Sequence, residues 1–344
     1  MNEFLTPELD LNGASILITG GTGSFGKALL RNLIDRYEPR RVIVFSRDEL
    51  KQYEMEQEIS AEDRKYVRFF IGDVRDVQRL ELAMRDVDVV VHAAALKHVP
   101  AAEYNPFECV KTNIHGAENI VTAALRTQVP KVIALSTDKA ANPINLYGAS
   151  KLASDKIFVA ANNLVGRNKS RFSVVRYGNV LGSRGSVIPF FRKIIADSGA
   201  HLPITHPDMT RFWITLQQGV NFVLSSLAMM QGGEIFVPKI PSMKIVDLAQ
   251  TMAPHLEQKI VGIRPGEKLH EVMITADDAR STIELDDRYI IQPSVIFWSD
   301  SRSQPVQGRP LPEDFVYASN VNPDWLDNST LENLLAGTGS ALAS

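Results

Sequence analysis

Short apolar runs alternate with longer amphipathic stretches from Ser15 onward. The runs SILIT, RVIVF, VRFFI and VDVVVHAAA are separated by stretches such as GKALLRNLIDRY, in which apolar residues recur with helical spacing. Apolar runs rich in β-branched residues and unbroken by polar ones are typical of strands covered on both faces. The pattern therefore predicts repeated strand–helix units, and with them an α/β fold whose parallel sheet is doubly wound.

The same pattern predicts how the chain is divided. The sheet continues through VIALST and FSVVRYGNV, and its last strand, EIFVP, follows the helical stretch LQQGVNFVLSSLAMM. Loop-rich stretches with Gly and Pro punctuation interrupt this order and suit a smaller lobe. We predict a larger domain of residues 1–180 and 212–240, interleaved with a smaller one of residues 181–211 and 241–297. Residues 298–344 form a C-terminal extension, whose end, GTGSALAS, is expected to be a partly disordered tail.

Composition and charge narrow the class of protein. The chain has 37 basic and 40 acidic residues and a formal net charge of −3, so neither nucleic acid nor a membrane surface is a favoured partner. The single cysteine, Cys109, excludes an intramolecular disulfide and a multi-cysteine metal site, and we interpret it as a packing residue. Residues 1–12 do not resemble a secretory signal, and no apolar run approaches the ~20 residues of a membrane-spanning helix. We therefore expect a cytoplasmic protein.

A glycine trio marks the first turn of the predicted sheet. Gly20, Gly23 and Gly26 in TGGTGSFGKALL lie between a predicted strand and a predicted helix. At such a turn, missing side chains let backbone amides approach a pyrophosphate at the helix N-terminus. A glycine trio alone can be a simple turn, but its place after the first strand favours a Rossmann-type dinucleotide site.

The end of the second predicted strand indicates which dinucleotide binds. Many NAD enzymes place an acidic residue there, about twenty residues beyond the glycines, whereas this chain has Ser46 and Arg47. A guanidinium offers a charge-assisted fork to phosphate oxygens, which a carboxylate would repel. We therefore predict NADP. In the alternative interpretation Arg47 is solvated, and Asp48 or Glu49 binds the ribose of NAD.

Tyr147 and Lys151 form a Tyr-x-x-x-Lys pair in a stretch with helical periodicity, so one turn places both on the same face. A lysine ammonium beside a phenol favours the phenolate, which can then take a proton from a substrate hydroxyl. The pair follows VIALSTDKAANP, a strand that ends in polar residues, and ligands of such folds bind at the carboxyl edge of the sheet.

The polar residues at that strand end are Ser136, Thr137, Asp138 and Lys139. Lys139 can act as a base only without its proton, so we expect burial or a neighbouring cation to lower its pKa. In the alternative interpretation, Asp138 and Lys139 merely cap and solvate a loop.

Several long stretches carry a family resemblance: HAAALKHVPAAEYNPFE, STDKAANPINLYGASK, VVRYGNVLGSRGSVIPFF and GIRPGEKLHE. These stretches resemble the inverting UDP-N-acetylglucosamine 4,6-dehydratases, extended short-chain dehydrogenases that bind NADP, and the resemblance covers roughly residues 12–297. The Asp138-Lys139 pair resembles the inverting subgroup, in which a lysine follows the aspartate. The retaining hexose 4,6-dehydratases have Thr-Asp-Glu at the corresponding position.

The resemblance also implies roles for individual residues. It places Asp73 and Val74 at the adenine and Asn113 as a support of the active site. Further cofactor contacts are implied for Thr22, Ser24, Phe25, Lys51, Ala93, Ala94 and Ala95. Sugar contacts are implied for Lys97, Glu103 and Tyr104, and the resemblance places Asn179, Ser183 and Val187 in the pocket of the uridine diphosphate. Independently of the resemblance, Arg184, Arg211 and Arg264 lie in loop-rich stretches of the smaller domain and suit the diphosphate, and Glu267 suits the ribose hydroxyls of uridine. Each arginine, taken singly, also suits a surface ion pair.

The implied reaction removes water from the sugar. Tyr147 takes the proton of the 4-hydroxyl, near which Thr137 hydrogen-bonds, while NADP accepts the hydride from carbon 4. Lys139 then removes the proton on carbon 5, Asp138 protonates the leaving 6-hydroxyl, and the hydride returns to carbon 6. Reprotonation of carbon 5 from the other face gives the inverted 4-keto-6-deoxy sugar.

Two other functions share part of this pattern. A UDP-sugar 4-epimerase has the glycines, Tyr147 and Lys151 but usually lacks the Asp138-Lys139 pair. A non-catalytic NADP-binding sensor has typically lost the tyrosine and lysine. A metal site is not expected, because the histidines are scattered. Related enzymes form dimers or hexamers, and the resemblance points to pseudaminic acid synthesis as the pathway.

Overall fold

The structure of the protein is a computed structural model, which describes residues 2–4, 8–166, 170–183, 185–293 and 306–340. Its strands are β1 (Ser15–Thr19), β2 (Arg41–Ser46), β3 (Val67–Ile71), β4 (Val89–His92), β5 (Lys131–Thr137), β6 (Arg171–Tyr177), β7 (Asn179–Val180), β8 (His201–Ile204), β9 (Thr210–Ile214), β10 (Ile235–Pro238), β11 (Ser242–Lys244), β12 (Glu257–Ile260), β13 (Val272–Ile274), β14 (Thr282–Glu284), β15 (Arg288–Ile291), β16 (Arg309–Pro310) and β17 (Tyr317–Ala318). Its helices are α1 (Ser24–Arg36), α2 (Glu49–Gln57), α3 (Val77–Ala83), α4 (Val99–Tyr104), α5 (Pro106–Cys109), α6 (Gly116–Thr127), α7 (Leu146–Ala161), α8 (Val187–Ala196), α9 (Leu216–Met229), α10 (Ile245–Met252), α11 (Ala276–Ala279) and α12 (Asn328–Ser340).

The main sheet has ten strands in the order β16-β14-β15-β10-β6-β5-β4-β1-β2-β3. The seven strands from β10 to β3 pair in parallel. The predicted doubly wound α/β fold is therefore confirmed, including the return of EIFVP to the sheet as β10. The central strands are buried along their whole length, because both faces of the sheet are covered.

Local sequence explains where the helices next to the sheet begin. Helix α7 starts after Asn145, whose side chain accepts a hydrogen bond from the amide of Gly148. Helix α9 starts with a capping box, in which Thr215 and Gln218 satisfy each other's backbone amides. Such caps set the first turn of each helix, and in α7 that turn carries Tyr147.

Three antiparallel strands extend the main sheet beyond β10. The predicted division assigned residues 241–297 to the smaller domain, but β14 and β15 lie within the main sheet, where β15 pairs with β10. Their apolar residues, such as Ile290 and Ile291, pack into the main core. Antiparallel edge strands need no crossover helix, so the alternating pattern carried no signal for them.

A second hydrophobic cluster lies apart from the core of the main sheet. It is formed chiefly by side chains from residues 181–253, with Phe191 and Trp213 among the largest, and Leu331 of α12 joins it. Helix α12 packs on α10 and ends at Ser340, inside the stretch for which a disordered tail was expected. Within the described residues, no helix is both long enough and apolar enough to span a membrane.

Candidate active site

A cleft of about 930 Å³ lies at the carboxyl ends of β1, β2, β4, β5 and β6. This is the edge at which doubly wound sheets bind ligands, and the volume is that of a site for a large ligand. Its lining includes Gly20, Thr22, Gly23, Ser24, Phe25, Gly26, Ser46, Arg47, Lys51, Asp73, Val74, Ala93, Ala94, Ala95, Lys97, Thr137, Lys139, Tyr147, Lys151, Asn179 and Ser183. The two motifs recognised in the sequence, the glycine turn and the Tyr-x-x-x-Lys pair, therefore face one cleft.

The glycine turn brings backbone, not side chains, to the cleft. Gly20 has a φ of +66°, and a Cβ there would lie 2.9 Å from the backbone of Ala94. A Cβ on Gly26 would lie 2.3 Å from the carbonyl oxygen of Gly21. Gly23 is the N-cap of α1, and in this described segment no side chain caps the helix and no acidic residue stands in its first turn. The positive end of the helix dipole and its amide groups are therefore available to an anionic ligand such as a pyrophosphate.

The far end of the cleft carries the residues predicted to select the cofactor. The side chain of Arg47 is 55% exposed and lies 3.7 Å from Asp73. Asp48 is the N-cap of α2: its carboxylate accepts from the amide of Lys51 at 3.0 Å and pairs with the Lys51 ammonium at 2.9 Å. Asp48, one of the two acidic residues that would serve NAD in the alternative interpretation, is therefore already bound to its own helix.

A compact polar cluster closes the catalytic end of the cleft. Thr137 ends β5 and donates a hydrogen bond of 2.9 Å to Oδ1 of Asp138, which is fully buried. The same oxygen accepts from the ammonium of Lys139 at 3.0 Å. The Thr137 hydroxyl and the Lys139 ammonium both act on the phenol of Tyr147 and lower its pKa, so the four side chains form one electrostatically connected group. Oδ2 of Asp138 has no hydrogen-bond partner among the described residues.

The charge state of Lys139 differs from the expectation. Burial lowers its pKa, but the carboxylates of Asp138 and Glu271 raise it by more, and the pKa of Lys139 therefore lies above its ordinary value. The expected lowering was wrong because the expectation left out the carboxylate of adjacent Asp138, which raises the pKa of Lys139 most, and that of Glu271, 132 residues away, which was not visible as a partner in the sequence.

Tyr147 also departs from the expectation. Burial raises the pKa of Tyr147 to about 12, although the Lys139 ammonium and the hydrogen bond to Thr137 lower it. The cation that acts on the phenol is Lys139, whereas the charge that acts on Lys151 is the carboxylate of Asp155. Burial lowers the pKa of Lys151, and the Asp155 carboxylate opposes this.

Several functional neighbours of the cluster were missed in the sequence. Asp155 follows Lys151 by one helical turn, is buried, and accepts hydrogen bonds from Ser136 at 2.8 Å and from Arg176 at 3.3 Å. Glu271 is 2% exposed and lies 3.3 Å from the ammonium of Lys139. The i, i+4 spacing of Lys151 and Asp155 in a predicted helix could have indicated that the two side chains interact. No local pattern in the sequence indicated that Glu271 contacts Lys139.

Asn113 lies behind the cleft in a π-helical turn, Val110–His115. It is buried, accepts from the amide of Leu96, and donates to the carbonyl of Leu96 and the hydroxyl of Ser150. Cys109 is also buried, 3.5 Å from that hydroxyl, which confirms the interpretation as a packing residue. His92 is buried against Thr19, and within the described residues no group of His, Cys, Asp and Glu could hold a metal.

Asp138, which was assigned to catalysis, and some residues assigned to the substrate lie outside the described lining of the cleft. The guanidinium of Arg211 is bound to the carbonyls of Thr210, Lys268 and Leu269. Exposed Arg264 lies 3.9 Å from Glu267. Glu103 accepts from the amide of Leu146, and Tyr104 is 88% exposed. Val187 begins α8, next to cleft-lining Ser186, and Arg184 lies outside the described residues.

Together, the doubly wound sheet, the glycine turn and the Tyr-x-x-x-Lys pair in one cleft define a Rossmann-type fold of the short-chain dehydrogenase class. A family described as polysaccharide biosynthesis protein matches residues 16–293, and the chain belongs to that family.

Proteins with known names are similar to this chain in sequence or in structure. The chain is 56% identical, over 95% of its length and 98% of the relative's, to a UDP-N-acetylglucosamine 4,6-dehydratase (inverting) of Campylobacter jejuni. It is 42% identical to a UDP-glucose 4-epimerase of Rickettsia canadensis, over 80% and 82% of the two chains. Among solved structures, Pen from Bacillus thuringiensis superimposes with a TM-score of 0.87 at 34% identity, over 96% and 99% of the two chains.

Proposed function

We propose that this protein is an NADP-dependent enzyme that dehydrates UDP-N-acetylglucosamine to a UDP-4-keto-6-deoxy-N-acetylhexosamine with inversion at carbon 5. The observation that carries this proposal is the connected group of Thr137, Asp138, Lys139 and Tyr147 at the end of β5. It provides a base for a hydroxyl, an acid and a second base beside one cleft. The 56% identity to the inverting dehydratase of Campylobacter jejuni supports the same function.

The cleft suits NADP. The uncapped start of α1 would bind the pyrophosphate, and Arg47 would bind the 2′-phosphate. Asp48 is held by Lys51 and by the start of α2, which favours Arg47 over a ribose-binding acid. When bound, the oxidised nicotinamide supplies a hydride acceptor for carbon 4 and, once reduced, a hydride donor for carbon 6.

Tyr147 acts first in the proposed reaction. As the phenolate, it takes the proton of the 4-hydroxyl while carbon 4 is oxidised to the ketone, and Thr137 steadies the oxygen. The ketone makes the hydrogen on carbon 5 acidic. The next steps therefore need a base for carbon 5 and an acid for the leaving 6-hydroxyl.

Asp138 and Lys139 meet both needs with one proton. Their hydrogen bond is 3.0 Å long, and moving its proton from Nζ to Oδ1 leaves a neutral amine and a protonated carboxyl. The amine removes the proton on carbon 5, and the carboxyl donates its proton to the hydroxyl that departs from carbon 6 as water. Hydride at carbon 6 and a proton delivered from solvent to the opposite face of carbon 5 complete the inverted product, and Tyr147 releases its proton to solvent, which restores the phenolate.

The substrate and its surroundings belong to the same proposal. Asn179 and Ser186 line the cleft, and each has a buried side-chain oxygen without a partner among the described residues. These oxygens suit hydroxyl or amide donors of a nucleotide sugar. We further propose a cytoplasmic homo-oligomer, dimer or hexamer, that serves pseudaminic acid or a related surface-glycan pathway.

Proton NMR of the purified protein with UDP-N-acetylglucosamine and NADP in deuterated water tests the function. A new methyl signal, deuterium at carbon 5 and inverted configuration there are expected. Retained configuration would contradict the role of Lys139, conversion to the galacto isomer would identify an epimerase, and no reaction with NADP bound would identify a sensor. K139A is expected to abolish exchange at carbon 5, whereas K156A, at an exposed lysine of α7, is expected to keep it.

A further inference from the structure

A buried carboxylate, Glu271, lies next to the catalytic cluster but outside the described lining of the cleft. It directly precedes β13, which lies against the turn Asp138–Ala140. Its Oε1 is 3.3 Å from the ammonium of Lys139, whose other partner is Oδ1 of Asp138 at 3.0 Å. The ammonium is thus held between two carboxylates from distant parts of the chain.

We propose that Glu271 is a positioning residue, which holds the Lys139 side chain at the catalytic end of the cleft and governs when this lysine is free to act as a base. The role rests on the dehydratase function proposed above. Glu271 itself does not line the cleft in the described part of the chain, so it acts through Lys139.

Glu271 is fixed from several directions. Its amide donates to the hydroxyl of Ser319, and its carbonyl accepts from the amide of Ser319, which follows β17. Its carboxylate lies 3.7 Å from the Arg211 guanidinium and 3.9 Å from the Lys268 ammonium. The backbone of Glu271 is therefore fixed, while Oε2 of its carboxylate accepts no hydrogen bond from the described residues.

The charges around Lys139 give this contact a chemical effect. The carboxylates of Asp138 and Glu271 favour the ammonium form of Lys139. The cations of Arg211 and of Lys268, which contacts Glu271 from another side, oppose it. Tyr147 is a further titratable neighbour of Lys139. Two carboxylates make the amine a stronger base toward carbon 5, because they stabilise the ammonium that forms. They also keep the shared proton on the Asp138–Lys139 pair up to a higher pH, so the carboxylate of Glu271 sets the alkaline limit of the pH range in which the site works.

The test is E271Q, which removes the charge and keeps the shape. Loss of a carboxylate at this distance is expected to lower the pKa of Lys139 by ~1 unit or more. Two midpoints should fall together in the variant with NADP bound. One is the alkaline limb of kcat/KM for dehydration, because above it the Asp138–Lys139 pair has lost the proton that the leaving hydroxyl needs. The other is the pH dependence of Lys139 acetylation in competitive labelling with acetic anhydride, read by peptide mass spectrometry.

The labelling separates this proposal from the proposed function, because it needs no turnover. E234Q is the matched control: Glu234 is also buried and binds Ser173 and backbone amides, but lies outside the described cleft lining. An equal shift in E234Q, or an unchanged Lys139 midpoint in folded E271Q, would overturn the role. If E271Q does not fold, E271D provides the test, because aspartate is one methylene shorter and places its carboxylate farther from Lys139. The midpoint of Lys139 acetylation should then fall by less than is expected for E271Q, and a midpoint equal to that of the wild type would contradict the proposal.

Discussion

The side-chain amide of Asn113 donates a hydrogen bond of 2.9 Å to the hydroxyl of Ser150, the residue that precedes Lys151. The same amide group holds the backbone of Leu96 through both its oxygen and its nitrogen. One buried side chain therefore joins the loop after β4 to the helix that carries Tyr147 and Lys151. The distance between the two sides of the cleft depends on this contact.

We expect N113A to lose both stability and activity. It leaves the buried backbone groups of Leu96 without partners, which costs about 2 kcal/mol or more of unfolding free energy. Displacement of α7 by a fraction of an ångström should lower kcat by about tenfold or more, with a smaller effect on KM. Urea unfolding and steady-state kinetics measure the two effects. N105A, at an exposed asparagine that bonds within its own helix, is the control, and equal losses there would contradict the bridging role.

The contacts that the sequence could predict are local ones. Gly20, Gly23 and Gly26 were predicted to face a ligand because one strand–turn–helix unit fixes their place, and the structure puts them in the cleft. Tyr147 and Lys151 share a helix, so their spacing alone placed them together. The parallel sheet followed from strand runs that are buried on both faces.

The contacts that the sequence could not predict join distant segments. Glu271 meets Lys139 only because β13 folds back onto the turn after β5. Arg211 was assigned to the substrate because it stands in a loop-rich stretch, but its guanidinium is taken up by three backbone carbonyls. A residue type and a loop predict that a side chain can bind an anion; which partner it meets depends on tertiary folding.

Selection of NADP by Arg47 can be tested by its removal. We expect R47A to lose about tenfold or more in NADP affinity, the order of a charge-assisted hydrogen bond, while NAD affinity changes little. Isothermal titration with both cofactors measures this. R64A, at an exposed arginine outside the described cleft lining, serves as the control. A retained NADP preference in R47A, or a specific loss of NAD binding in D48A, would favour the alternative interpretation.

Thr137 should affect the pH profile through Tyr147. Its hydroxyl lowers the pKa of Tyr147, so T137V is expected to raise that pKa above the present value of about 12. Less phenolate then forms at neutral pH, and kcat should fall several-fold at pH 7 and recover in part as the pH rises. Rate profiles from pH 6 to 10 measure this. T127V removes a hydroxyl that donates to the carbonyl of Ala123, away from the cleft, and should leave the profile unchanged; a pH-independent loss in T137V would contradict the proposed electrostatic role.

Burial of His92 should make the free energy of unfolding depend on pH. It is fully enclosed beside Thr19, and burial, with the nearby Lys151 ammonium, lowers the pKa of His92 from 6.5 to about 3. The unfolded chain therefore binds a proton at a pH where the folded protein does not. Its contribution to stability is complete above about pH 6.5 and is lost as the pH falls toward 3, and it amounts to a few kcal/mol, at about 1.4 kcal/mol per pKa unit.

We therefore expect H92Q to be less stable than the wild type at pH 7.5, because glutamine fits the site less well, but to lose less stability between pH 6.5 and 4. Urea unfolding at a series of pH values gives the two slopes. His255 is exposed, and H255Q should show the wild-type slope. If H92Q and the wild type lose stability in parallel across this range, the folded protein already binds a proton at His92 near pH 6, and its burial does not keep the imidazole neutral.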